Sequence, residues 1–173
     1  MNMNNIVYYL FSLIVLFRLV VLCISKNNEK KLLSKGAVEY GKNISNYLAV
    51  LHTIFYFSAF VEGMTRHVKM DFISYIGIMI VSLSFVVLLY VIKSLDYYWT
   101  VKLIVEDQHK INNNWVFKTI KHPNYFFNII PELIGVTLLF HAWRTLLTLS
   151  IPYGLCLYFR IRKENDLLSK RNQ

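Results

Sequence analysis

This sequence predicts an all-α integral membrane protein with about five transmembrane helices, N-terminus out and C-terminus in. Three observations point there. Apolar runs of membrane-crossing length recur along the chain. Hydrophobic residues make up 55 % and charged residues only 17 %, with a mean hydropathy of +0.41. The cations sit almost entirely on alternate connectors. The first two exclude an ordinary soluble domain, and the third gives the orientation. At roughly 20 apolar residues per crossing, 173 residues form one membrane domain, read as a three-helix part over 1–93 and a C-terminal part over 94–173.

The first run, about 5 to 25, lacks a basic leading segment and a small-residue cleavage site. It therefore reads as a retained helix and not a signal peptide, and Arg18 inside it is expected to snorkel to the inner face. The second run, 44 to 61, contains His52 and Ser58; the third spans 72 to 93. The fourth, 124 to 142, follows Pro123, whose fixed φ suits the first position of a helix. The fifth, 145 to 161, is short and carries Pro152.

With the N-terminus outside, the inner connectors and tail hold 15 of the 19 Lys and Arg residues. The outer loops hold Arg66, Lys69 and Arg144. The net charge of +9 is thus the positive-inside signature of a cell-membrane protein, and no nucleic-acid partner is implied. Cys23 and Cys156 lie in apolar runs without ligand or disulfide spacing, which marks them as packing or lipid-facing residues. His52, His67 and His141 fall on separate segments, so no metal site is expected.

Polar residues at a membrane face are costly and point to function. His122, just before a proline, is pushed toward extended backbone, and the amides of Asn124 and Tyr125 at a helix start suit an anion such as a carboxylate. Read singly, His122 is equally a cap and Tyr125 an interfacial aromatic. Arg160 and Glu164, four apart, share a helix face, as functional groups or as a surface pair. Glu132, following Pro131 inside the fourth run, either lines a polar recess opened by the proline or is a protonated acid satisfied by a neighbouring helix. Tyr97, Tyr98 and Trp99 are interfacial anchors or a lid.

Taken together, Tyr98-Trp99-Thr100, Leu103-Ile104-Val105, His109-Lys110-Ile111, Lys121-His122-Pro123-Asn124-Tyr125, Glu132, Arg160-Ile161-Arg162-Lys163-Glu164 and Leu168 resemble the isoprenylcysteine carboxyl methyltransferase family. The likeness covers about the C-terminal 75 residues and is nearest the short bacterial type, which includes alkylpyrone O-methyltransferases. The chain departs from the pattern at Trp115-Val116-Phe117, where Gly-x-Tyr is usual. It departs again at Lys121, usually Arg, and at Asn165, usually a second acid.

The resemblance implies transfer of a methyl group from S-adenosylmethionine to a carboxylate or acidic enol of a lipophilic acceptor, small-molecule, prenylated or lipid, at the cytoplasmic face. It implies that His109, Lys110, Ile111, Asn112, Phe117, His122, Pro123, Asn124, Tyr125 and Glu164 bind the cofactor. Arg160 is associated with the acceptor, and Arg160 and Glu164 are the catalytic pair; Glu132 is the further residue expected at the acceptor. Such an acceptor is already nucleophilic, so the site needs positioning and no strong base. A small nicotinamide-dependent membrane reductase and a non-catalytic accessory protein are the alternatives; the first finds no Gly-rich phosphate loop here.

Overall fold

The computed structural model describes residues 3–105 and 124–171. Five α-helices run through them: α1 (Met3–Ser34), α2 (Lys42–Thr65), α3 (Phe72–Leu95), α4 (Ile130–Phe140) and α5 (Trp143–Arg171). Three of them, α1, α2 and α3, are long and apolar enough to cross a membrane by themselves. Asn124–Phe140 is a shorter apolar helical stretch. Large apolar side chains such as Leu83 and Leu147, 64 % and 73 % exposed, cover the outside, as lipid in place of water allows. This is an all-α membrane protein.

The structure adds one element the apolar runs did not indicate, an antiparallel pair of short strands. β1 (Val38–Tyr40) pairs with β2 (Leu103–Val105) in the register Val38↔Val105, Glu39↔Ile104, Tyr40↔Leu103. Strands of three residues are too short to show an alternating pattern. The pair ties the α1–α2 connector to the segment after α3.

Helix ends also differ from the ends of the apolar runs. α1 continues to Ser34, about 48 Å at 1.5 Å per residue, because Glu29, Lys30, Lys31, Leu32 and Leu33 are good helix formers and no Gly or Pro interrupts the chain until Gly36. Gly36 takes φ 86°, and Ala37 N–H reaches back to the Leu32 carbonyl, closing the helix. The extension packs on the chain leaving α3: Asn28 Nδ2 donates to the carbonyls of Asp96 and Trp99 at 3.2 and 2.9 Å, and Val101 N–H donates to Ser25 Oγ at 2.8 Å.

The fourth helix does not begin as an α-helix. Asn124–Ile129 is a π-helical turn that passes into α4 at Ile130. Pro131 lacks the amide an α-helical turn would use, and its ring crowds the carbonyl four residues back; a wider turn relieves both. α3 and α4 cross at Gly77 and Gly135, where a Cβ on Gly77 would lie 2.7 Å from the Gly135 carbonyl oxygen. Glu62 of α2 caps α5, accepting from the amides of Arg144 and Thr145 at 3.1 and 2.8 Å and from Thr145 Oγ1 at 2.9 Å. Those acceptors meet the orphan amides and positive end of the helix.

The main core joins Val7 and Ile14 of α1, Phe55 and Ala59 of α2, Val81 of α3, Val136 and Phe140 of α4 and Tyr153 of α5. A second cluster, Val21, Leu88, Val91 and Trp99, holds the other end of α1 against α3.

Candidate active site

Arg160 lies in the second half of α5 and is only 4 % exposed. Its guanidinium donates to Ser45 Oγ of α2, to the Tyr125 hydroxyl at 3.2 Å and to the Val101 carbonyl at 3.1 Å. All three partners are neutral, and Arg160 has no ion pair among the described residues. A buried cation held by neutral groups keeps its charge available to an anion.

Tyr125 joins Arg160 to Glu164. Its hydroxyl accepts from Arg160 Nε and donates to Glu164 Oε2 at 2.7 Å. The π turn places it: Asn124 and Asn128, one α-helical turn apart in number, are bonded by Asn128 Nδ2 donating to Asn124 Oδ1 at 3.0 Å. Asn124, Tyr125, Arg160 and Glu164, expected as site residues, are therefore near neighbours at one end of the molecule. His109, Lys110, Ile111, Asn112, Phe117, His122 and Pro123 lie outside the described residues.

Asn124, Tyr125 and Arg160 open onto a cavity of about 330 Å³, a size ordinary for small-molecule sites. Arg160, Tyr125, Asn124 and Asn128 line one end with Trp99, Thr100 and Val101; deeper in stand His52, Tyr56, Tyr153 and Arg18. Leu19, Leu22 and Phe57 also line it and are about half exposed on the lipid-facing surface. The wall between α1 and α2 therefore reaches the bilayer. Trp99, 4 % exposed, is part of the cavity wall, while the tilted rings of Tyr97 and Tyr98 lie with their centroids 4.1 Å apart.

Arg18 corrects the snorkelling expected of it. Its Nε donates to Glu132 Oε1 at 2.7 Å and to the Tyr56 hydroxyl at 3.2 Å, and its NH2 group forms an ion pair with Glu132 Oε2. A fully buried carboxylate offers more than the interface does, since pairing neutralises two charges that would each be costly in lipid. Glu132, 0 % exposed, is bound by Arg18 and by the Tyr56 hydroxyl. It supports two lining residues and is not itself among the residues lining the cavity.

Sequence reading did not place Arg18, Ser45, His52, Tyr56, Asn128 or Tyr153 at the site. The available signal was their polarity within apolar helices: such residues turn away from lipid toward a partner or a cavity. His52 does both, its Nδ1 lying 2.9 Å from the Tyr153 hydroxyl.

The model of the isoprenylcysteine carboxyl methyltransferase family matches residues 74–170, from the start of α3 to the end of α5. An uncharacterized protein of Haemophilus influenzae is 41 % identical over 159 residues, covering 92 % of each chain. The uncharacterized protein YpbQ of Bacillus subtilis is 29 % identical over 164 residues, covering 94 % of this chain and 96 % of its own. No solved structure matches the chain significantly.

Proposed function

The chain belongs to the isoprenylcysteine carboxyl methyltransferase family, and from that premise we propose that it is a membrane O-methyltransferase. It uses S-adenosylmethionine to methylate a carboxylate or acidic enol of a lipophilic acceptor at the cytoplasmic face of the cell membrane. The observation that carries this reading is Arg160: a buried guanidinium without an acid partner among the described residues, lining a 330 Å³ cavity that reaches the lipid-facing surface. An anionic acceptor with an apolar tail suits such a place. Its acid meets Arg160, and its tail leaves between α1 and α2.

The described part of the cofactor set fits a cationic, hydroxyl-bearing molecule. Glu164 supplies a carboxylate, Tyr125 holds that carboxylate in position, and both adjoin the Arg160 end of the cavity. When bound, S-adenosylmethionine supplies an electrophilic methyl group. Glu164 and Tyr125 would hold the cofactor together with Asn124 and residues of the 109–123 segment. Arg160 orients the acceptor oxygen while its three neutral partners fix the guanidinium plane; a planar fork of constant charge does this better than a lysine ammonium. Apolar walls keep water from the oxygen, and alignment of the two reactants supplies much of the rate. The division of labour follows the chain, with residues 94–173 carrying the cofactor and chemistry and the N-terminal helices completing the acceptor cavity.

Calorimetric titration of S-adenosylmethionine into the purified protein in detergent, with Glu164→Ala, His122→Ala and Arg160→Ala beside it, tests the reading. Micromolar binding lost in the first two variants and kept in Arg160→Ala, whose turnover is abolished, is the expected result. No binding by folded wild-type protein overturns the cofactor, and lost binding in Arg160→Ala overturns the division of roles.

A further inference from the structure

Arg160 draws its three partners from different kinds of backbone. Ser45 belongs to α2 and Tyr125 to the π-helical turn, whereas Val101, whose carbonyl accepts from Nη2 at 3.1 Å, lies between the short helical turn Asp96–Tyr98 and β2, in no regular element. A carbonyl outside a helix or ladder is placed by whatever holds the chain around it. Here the holding groups come from α1. Ser25, Asn28 and Glu29, three and four residues apart, share one face of that helix. Ser25 Oγ accepts from Val101 N–H at 2.8 Å, Asn28 Nδ2 donates to the Asp96 and Trp99 carbonyls, and Glu29 pairs with Lys102. Ser25 and Asn28 are buried, while Lys26, Asn27 and Lys30 beside them are exposed. Trp99, Thr100 and Val101 of the held segment line the cavity.

We propose that Ser25 and Asn28 are positioning residues of the site: by fixing residues 96–101 they set the Val101 carbonyl, and through it the plane of the Arg160 guanidinium. That this plane serves an acceptor's acid rests on the acceptor reading above. Nε, Nη1 and Nη2 of Arg160 each bond a different partner, so the fork has one orientation. Releasing Val101 frees Nη2 and leaves two contacts to hold a planar group. Both α1 residues act without touching either reactant. The family match begins at residue 74, so they lie outside the stretch by which the family is recognised, and the C-terminal end of α1 is a working part of the site as well as the continuation of a membrane helix.

NMR of the full chain in detergent micelles, with isotopic nitrogen in its arginines and the Arg160 signals assigned from Arg160→Lys, reads the guanidinium directly. Ser25→Ala and Asn28→Leu should shift the Arg160 side-chain resonances and leave those of Arg18 in place, whereas Ser25→Thr, which keeps the accepting oxygen, should retain the wild-type spectrum. Calorimetry with myristic acid as the carboxylate probe gives the second readout. Its affinity should fall about 3- to 10-fold in Ser25→Ala, the range for losing one hydrogen bond, and stay within about twofold of wild type in Ser25→Thr. Arg160 resonances that match wild type in Ser25→Ala and Asn28→Leu overturn the proposal, as does a shift of equal size in Ser25→Thr, which would mark a packing effect. Ser25→Ala decides the matter alone where the leucine variant fails to fold. If wild-type protein binds no myristic acid, the acceptor reading fails, and the resonances of Arg160 still decide whether α1 positions it.

Discussion

Replacing Glu132 by leucine should be among the most destabilising single substitutions in this protein. The Glu132 side chain is fully buried and that of Arg18 is 17 % exposed. The variant leaves the Arg18 guanidinium without its anion and the Tyr56 hydroxyl without its acceptor. Breaking a buried pair from one side costs about 3–5 kcal/mol, because the surviving charge keeps its desolvation penalty. For a chain of this length each kcal/mol moves the midpoint by about 2–4 °C, giving a fall of roughly 6–20 °C. Thermal unfolding in detergent, followed by tryptophan fluorescence, measures it. The double variant Arg18→Met with Glu132→Leu removes both charges and should lie within about 2 kcal/mol of wild type, since matched apolar replacements of buried pairs are often near neutral. If Glu132→Leu unfolds at the wild-type temperature, or if the double variant is no more stable than the single one, the pair does not neutralise Arg18 as argued.

Arg160→Lys should keep the charge yet lower kcat/KM for the acceptor by about 100-fold, because one ammonium cannot present the planar fork fixed by Ser45, Tyr125 and Val101; cofactor affinity, measured beside it, should be unchanged. Gly77→Val should destabilise by about 1–3 kcal/mol or more in the same unfolding assay, since any Cβ there meets the backbone of α4. Asp71 caps α3, and its carboxyl is held below the usual range by the Ser74 amide first and by His141 in addition. A carboxyl lowered in the folded state contributes stability above its unfolded value and loses it as pH falls through the folded one. The advantage of wild type over Asp71→Asn should therefore be constant near neutrality and vanish only in acid below the usual carboxylate range, as seen in unfolding midpoints across pH.

Much of this architecture is written locally. Apolar runs gave all five helices their approximate places, since lipid demands an uninterrupted apolar stretch. Their ends were less legible, because a crossing ends where apolar residues stop while a helix ends where its amides and carbonyls find caps. α1 shows the difference: its polar continuation holds Asn28, which anchors the chain leaving α3. The neighbourhood of Tyr125, Arg160 and Glu164 followed from an ordered motif set. Arg18 was not legible, since its choice between the interface and the interior depends on a carboxylate 114 residues away. His52 and Asn128 were visible as polar residues among apolar ones, but their shared cavity is a property of packing.

The two arginines of the cavity show how one compartment can hold an anion at one end and exclude it from the other. Both guanidiniums lie among apolar helices, where an unpaired charge is costly. Arg18 has its own carboxylate, so a second anion there would face Glu132 at close range in a low-dielectric setting and be repelled. Among the described residues Arg160 has only the Ser45 and Tyr125 hydroxyls and the Val101 carbonyl, which orient the cation without cancelling it. In the acceptor reading proposed above, the negative end of the ligand is thereby directed to the Arg160 end, where Tyr125 and Glu164 stand. Exchanging these environments gives the sharpest check on that logic. Ser45→Asp would place a carboxylate beside Arg160 and should suppress acceptor binding by at least about tenfold, whereas Ser45→Ala should reduce it only by loosening the guanidinium. If the aspartate variant binds an anionic acceptor as well as wild type does, Arg160 is not the anion site.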